Sequence, residues 1–232
     1  MVRVGILDLS GNLFDGFDID RIPPGEIRER IEKTKNKEQK ACRIAAYLLL
    51  EKMIKNVSPC DKMPQIIYTP QGKLRFDEGC GVNISCRFNI SHDGGAVAVA
   101  VSDTEVGVDV QSHLANSESQ NRIATRFADA LDTLDARSDR EPSVSFCFFE
   151  IKNGEIFERL CDGGAPANLT KEDVAKDFVA RWTVLEAALK LDGGGFASIG
   201  NVRAIVERAK FKTVAFNLSG NKYALTVAEE NK

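Results

Sequence analysis

Histidine is nearly missing from this sequence. Only His92 and His113 occur, and the six cysteines, Cys42, Cys60, Cys80, Cys86, Cys147 and Cys161, are scattered without a C-x-x-C pair. The ligand pairs of a structural zinc site are therefore absent. An excess of either charge is lacking too: 31 Lys and Arg stand against 34 Asp and Glu, a net charge of −3. Such a balance gives no bulk positive charge with which to hold nucleic acid or a membrane surface, and neither is an expected partner. No apolar run approaches the ~20 residues that cross a bilayer, and the opening residues MVRVGILDLSGN lack the apolar core of a signal peptide. These absences lead to the expectation of a reduced, soluble, cytoplasmic protein. What is present is 43% hydrophobic residues in a chain of 232, enough for one domain or for two small lobes sharing a core.

Val2 to Leu9 reads as a first strand ending in a turn at 10–12. After Pro23-Pro24-Gly25, the charge-rich stretch 26–40 reads as a solvated helix face. From Lys40 to about Lys55, Ala41, Ile44, Ala45, Leu48, Leu49 and Met53 recur at helical spacing, which predicts a core helix. Arg43 lies on that helix, where it is either a phosphate ligand or a surface charge. Gln65 to Tyr68 reads as a strand, and Thr69 to Leu74 as a turn that sets Lys73 just past Gly72. This Gly-Lys pair lacks the second glycine, the Ser/Thr and the helix of a Walker A loop.

The densest polar signature follows. Asn89-Ile90-Ser91-His92-Asp93-Gly94 reads as a polar bend, succeeded by a small-residue strand from Ala96 to Val101. His92 is either a satisfied structural residue or a functional one beside a serine, an acid and two glycines. Val106, Val108 and Val110 alternate with Gly107, Asp109 and Gln111, so a strand here buries the valines and turns Asp109 and Gln111 to the other face. Two side-chain oxygens on one face suit a hard divalent cation, and equally a half-exposed strand.

Arg122 to Leu134 has helical spacing, and 135–171 reads as an insertion-like segment with a hairpin from Ser143 to Phe157 turning at 152–155. Thr170 and Asp173 form a capping signal for a helix from about Lys171 to Leu191, closed by Gly193-Gly194-Gly195. Trp182, Glu186 and Lys190, four apart, share one ridge of it. The Glu186–Lys190 pair is either a surface ion pair worth ~0.3–0.5 kcal/mol or part of a site. The stretch from Val202 onward reads as strands. Each half then has a helix of apolar face, a turn and a small-residue strand, a faint internal duplication breaking near Ser102 to Glu105.

Three separated signatures coincide here: Gly72-Lys73, Phe88-Asn89-Ile90-Ser91-His92 with Gly107-Val108-Asp109-Val110-Gln111 after it, and Trp182-Thr183-Val184-Leu185-Glu186-Ala187-Ala188-Leu189-Lys190. In that order they resemble the 4′-phosphopantetheinyl transferases of the surfactin-synthetase-activating type, whose motifs read G-K-P, F-N-[IL]-S-H, G-[IV]-D-[IV]-E and W-[ST]-x-K-E-x-x-x-K. The resemblance implies an α/β (α+β) fold of two similar lobes related by a pseudo-twofold, at 1–103 and 104–232. It also implies coenzyme A between the lobes, Mg2+ on its diphosphate, and transfer of phosphopantetheine to a serine of an apo acyl or peptidyl carrier protein by a monomeric enzyme.

Carried over, Asp109 and Glu186 hold the metal, Glu186 is also the base, Lys190 neutralises the diphosphate, and Lys73, Ser91, His92 and Arg43 meet the nucleotide phosphates. The chain departs from the pattern at Gln111, where relatives carry an acid, at Leu185, where they carry lysine, and at Leu74, where they carry proline. Some relatives lacking that acid draw a metal oxygen from the residue after the histidine, here Asp93. The resemblance thus implies Asp93, Asp109 and Glu186 as metal ligands, with Gln111 marginal. A weakened relative that binds coenzyme A or a carrier without efficient transfer is the second expectation, and an unrelated metal-dependent phosphohydrolase the third.

Overall fold

A computed structural model describes residues 1–9, 17–57, 63–80, 86–113, 117–137, 140–152, 155–159 and 164–231. The expected turns at 10–12 and 153–154 fall outside them. The architecture is mixed α/β, with seven α-helices and three sheets among the described residues.

The first sheet has the order β4-β5-β1-β7-β8, formed by Arg87–Asp93, Ala96–Ser102, Val2–Asp8, Val144–Lys152 and Glu155–Arg159. All its pairs are antiparallel except β1 with β7. The second has the order β6-β11-β10-β9, formed by Val106–Ser112, Asn221–Glu230, Ala209–Leu218 and Ala167–Asn168, all antiparallel. A small hairpin of β2 (Ile66–Tyr68) and β3 (Leu74–Phe76) stands beside the first.

Strand alternation explains the stacking. Val2, Val4 and Ile6 of β1 and Ala96, Ala98 and Ala100 of β5 face Val106, Val108 and Val110 of β6 and Leu225 and Val227 of β11 in one core between the sheets. The opposite faces are covered by α2 (Lys37–Val57) and α6 (Phe178–Asp192). Helix α2 is buried more widely than one stripe: Ile44 to Leu50 are all buried, because the sheet lies on one side and α1 (Glu26–Glu32) with the β2–β3 hairpin on the other.

Several sequence expectations are corrected. The Asn89–Asp93 stretch is not a bend: β4 runs through Asp93, and the reversal is confined to Gly94 and Gly95, at φ 54° and 92°, the two positive values that a type I′ hairpin requires. The helix expected over 171–191 is two. The capping box of Thr170 and Asp173 starts α5 (Lys171–Lys176), but Asp177 is extended at φ −110°, ψ 110°, and its carboxylate caps α6 through the amides of Val179 and Ala180. The helical stretch at 122–134 is likewise divided into α3 (Ser117–Arg126) and α4 (Ala128–Asp132). Residues Val202–Arg208 form a helix, α7, rather than a strand, with Val202, Ile205 and Val206 buried at i, i+3 and i+4. Finally, the insertion-like segment 135–171 supplies β7 and β8 to the first sheet and β9 to the second through main-chain pairing, so strand pairing crosses the 103/104 boundary. No helix among the described residues is long and apolar enough to cross a membrane.

Candidate active site

The edges of the two sheets, β4 and β6, meet at a seam closed by side chains in place of a main-chain ladder. Asn89 Oδ1 accepts from Val108 N at 3.0 Å, Ser91 Oγ from Val110 N at 3.3 Å, and Asp93 Oδ2 from Ser112 N at 2.7 Å. Alternate residues of one strand thus satisfy alternate amides of the next, which would otherwise be buried without acceptors. The period of two puts Asn89, Ser91 and Asp93 on one side of β4.

Asp109 sits on β6 beside this seam and is fully buried, 0% exposed. Its Oδ1 accepts from Ser91 Oγ at 2.8 Å and from Lys190 Nζ at 2.6 Å, and its Oδ2 from Gln111 Nε2 at 3.4 Å. Lys190 also donates to Ser91 Oγ at 3.0 Å and lies 3.6 Å from Glu186 Oε2. The approach is possible because Gly107 lacks a side chain: a Cβ there would lie 2.1 Å from the carbonyl oxygen of Ala187 and 2.6 Å from the amide of Leu191. Helix α6 therefore rests with its backbone on β6, which brings Glu186 and Lys190 up to Asp109.

Burial, and then the neighbouring Asp109 carboxylate, push Glu186 up to about 7, with Lys190 opposing. Two acids held this close, one of them fully buried, form a place that a divalent cation would relieve, and they fit an ion that keeps several waters and takes one or two carboxylates, while the Gln111 amide meets Asp109 through its nitrogen. Among the described residues there is no group of three His, Cys, Asp or Glu that would hold a metal. Asp93 is not brought into the group. Its Oδ2 accepts from both the amide and the hydroxyl of Ser112, each at 2.7 Å, and so closes the seam.

A groove runs from this point. One part, a cleft of ≈ 270 Å³, is lined by Tyr68, Gly72, Leu74, Asn89, Ile90, Lys190 and Gly193. The other, ≈ 210 Å³, is lined by Arg30, Arg43, Tyr47, Tyr68, Leu74, Ile90 and His92, and the two share the wall of Tyr68, Leu74 and Ile90. His92 is held below the usual histidine range by burial and by the cations Lys190 and Arg43, so it is neutral at neutral pH and able to hydrogen-bond an anion without paying for a second buried charge. Arg43 Nη1 donates to Thr34 Oγ1 at 2.8 Å.

Lys73 lines the first cleft, and its ammonium is held by protein groups, Glu105 Oε2 at 2.8 Å and the carbonyl of Leu191 at 2.9 Å.

Sequence reasoning passed over three residues here. Arg30, stacked 3.7 Å over the Tyr68 ring, belongs to the stretch read as a solvated face. Asn89 belongs to the stretch read as a polar bend, with no role of its own assigned, although its spacing of two from Ser91 carries the seam. Glu105 had no local signal, because its partners Lys73, Arg75 and Arg87 all come from the first half of the chain. Neither a scan of the sequence against protein-family models nor a search among curated proteins returns a match.

Proposed function

We propose that the chain is a 4′-phosphopantetheinyl transferase, which moves the phosphopantetheine arm of coenzyme A to a serine hydroxyl of an apo acyl or peptidyl carrier protein. The observation that carries this reading is the meeting of three stretches distant in sequence. Ser91, Asp109, Glu186 and Lys190 lie 2.6–3.6 Å apart along Lys190 and Ser91 contacts, beside a groove whose far part is lined by Arg30, Arg43 and His92. An acid pair with a lysine next to a cation-lined groove is the equipment for clamping a diphosphate and activating a hydroxyl.

In the proposed reaction the serine oxygen attacks the phosphorus that bears the pantetheine arm. A new P–O bond forms, the bond from that phosphorus to the bridging diphosphate oxygen breaks, and adenosine 3′,5′-bisphosphate leaves with the electron pair. The serine proton passes to the Glu186 carboxylate, acting as general base. Lys190 would offset the charge growing on the leaving phosphate, and Arg43 and His92 would orient the nucleotide end. Asp109 and Glu186 would hold a magnesium ion, with the Gln111 amide adjoining, and such an ion shields the diphosphate charge when bound. One chain supplies every residue named, so a monomer suffices.

The second reading, a relative that binds coenzyme A without efficient transfer, draws on two observations: Gln111 offers an amide in place of an acid, and Asp93 is engaged by Ser112. Intact mass of an apo carrier protein incubated with the protein, magnesium and coenzyme A decides between them. A phosphopantetheine gain that vanishes in Glu186→Gln is expected. Coenzyme A binding with no gain would favour the second reading, and phosphate release without a carrier would point to a phosphohydrolase.

A further inference from the structure

The lysine of the Gly-Lys turn, expected to meet a phosphate, is bonded within the protein. Lys73 is 8% exposed, and both its hydrogen bonds go to protein groups: Glu105 Oε2 and the main-chain carbonyl of Leu191. Leu191 lies in the last turn of α6, where carbonyls have no donor within the helix. Gly193, at φ 87°, ends that helix through the hydrogen bond its N–H donates to the Leu189 carbonyl, and the Lys73 stem packs over it, such that a Cβ on Gly193 would lie 3.2 Å from Lys73 Cδ. The lysine therefore caps α6 electrostatically and sterically, as a cation at a helix C-terminus does. Glu105 is itself fixed: its Oε1 lies 3.0 Å from Arg75 Nη2 and 3.3 Å from Arg87 Nε. It stands immediately before β6, the strand of Asp109.

We infer that Lys73 and Glu105 form a strut that positions the last turn of α6, and with it Lys190, against Asp109 and Ser91. Lys73 then acts on the reaction through the helix and not by touching substrate, and Glu105 is its necessary partner. As a statement about catalysis, this rests on the transferase reading. The neighbouring residues explain the geometry: Lys190 precedes the capped residue directly, and its Nζ lies 2.6 Å from Asp109 Oδ1.

The two roles open to Lys73 predict opposite results for its partner. A phosphate-binding lysine freed from a competing acid by Glu105→Gln would hold coenzyme A as well or more tightly. A strut deprived of that acid fails as if the lysine were gone. Three variants are compared with the wild type, Lys73→Met, Glu105→Gln and the pair together, by steady-state transfer, by calorimetric coenzyme A affinity, and by hydrogen exchange of the amides at 190–193.

The expected result is a kcat roughly 10–100-fold lower in each single variant, the scale of a small misplacement of an orienting group. Exchange at 190–193 is faster in both, and the double variant is no worse than either single one, as for residues acting as one unit. If Glu105→Gln keeps wild-type kcat and exchange while Lys73→Met loses coenzyme A affinity tenfold or more, the strut is refuted and Lys73 is a phosphate ligand. A wild type that transfers nothing would refute the function proposed above, and the exchange data would still judge the strut. Because Glu105→Gln preserves side-chain shape, a thermal melt of that variant separates loss of the strut from loss of the fold.

Discussion

In the first half of the chain β1, α2, β4 and β5 build a sheet in the order β4-β5-β1 with α2 on its outer face; in the second, β6, α6, β10 and β11 build the order β10-β11-β6 with α6 on its outer face. Each first strand has a glycine under its helix, and the two glycines differ. A Cβ on Gly5 would meet Met53 Sδ at 2.6 Å, then Leu49 Cδ1 and a Phe149 ring carbon at 3.2 Å, all side-chain atoms. A Cβ on Gly107 would meet helix backbone at 2.1 Å. In the first half a layer of side chains separates helix from strand; in the second the helix backbone touches the strand. Two residues on from each glycine stand Leu7, in the core, and Asp109, in the site. The close approach is what brings charged side chains of the helix up to a strand carboxylate in the second half, where the first half has apolar packing.

The sharpest way to break this comparison is to remove the group it brings in. Glu186→Gln is expected to lower transfer by ~10²–10⁴-fold, the usual contribution of a positioned base, while the protein melts at or above the wild-type temperature near pH 8. A variant retaining more than a tenth of wild-type kcat would mean that the second half holds no base at Glu186.

Next come the glycines. Gly107→Ala drives a methyl group into main-chain atoms that cannot swing aside, and a loss of ~3 kcal/mol or more is expected from urea unfolding. Gly5→Ala meets a flexible methionine and should cost about 1 kcal/mol. Equal losses would show that the two helices sit on their strands alike.

How far these features were legible in the sequence follows the range of the forces involved. The valine alternation of β6, the apolar spacing of α2 and the Ala96–Ser102 strand depend on near neighbours and read correctly. The breaks at Asp177 and Phe127 were hidden because apolar spacing continues across them, although Asp177 before Phe178-Val179 is a capping signal in hindsight. The segment 135–171 looked like an insertion because the pairing partner of its strand β7, β1, lies more than a hundred positions earlier. Within the site, the Glu186–Lys190 spacing and the Asp109–Gln111 face were visible. The Asp93–Ser112 bond and the turning of Lys73 to Glu105 were not, since both depend on how the two sheets meet.

The seam where the halves join gives a smaller effect. Asn89→Ala leaves the buried amide of Val108 without its acceptor and is expected to destabilise the fold by ~1–3 kcal/mol. Transfer per folded molecule should fall far less than in Glu186→Gln, because Asn89 lines the cleft but its bond goes to the Val108 amide. A stability cost below ~0.5 kcal/mol would mean that water or a shift of β4 replaces the bond.

The least effect, and the one most specific to the second half, is a pH slope. Glu186 is raised from 4.5 to about 7 in the fold. Between those values the unfolded chain has released this proton and the folded chain keeps it, so the folded state binds more protons and stability must fall as pH rises, levelling off above about 7. His92, held low, works in the other direction: the unfolded chain takes up a proton below about 6.5 that the fold resists, so its contribution increases stability as pH rises to that value. The difference in melting temperature between wild type and Glu186→Gln cancels the histidine, and is expected to grow in favour of the variant from pH 5 to pH 7. Magnesium sharpens the reading, because a divalent cation favours the ionised pair. It should raise the wild-type melting temperature more at pH 8 than at pH 6 and leave Glu186→Gln nearly unmoved. Should magnesium stabilise wild type and variant equally at both pH values, the ion binds somewhere other than the Asp109–Glu186 pair.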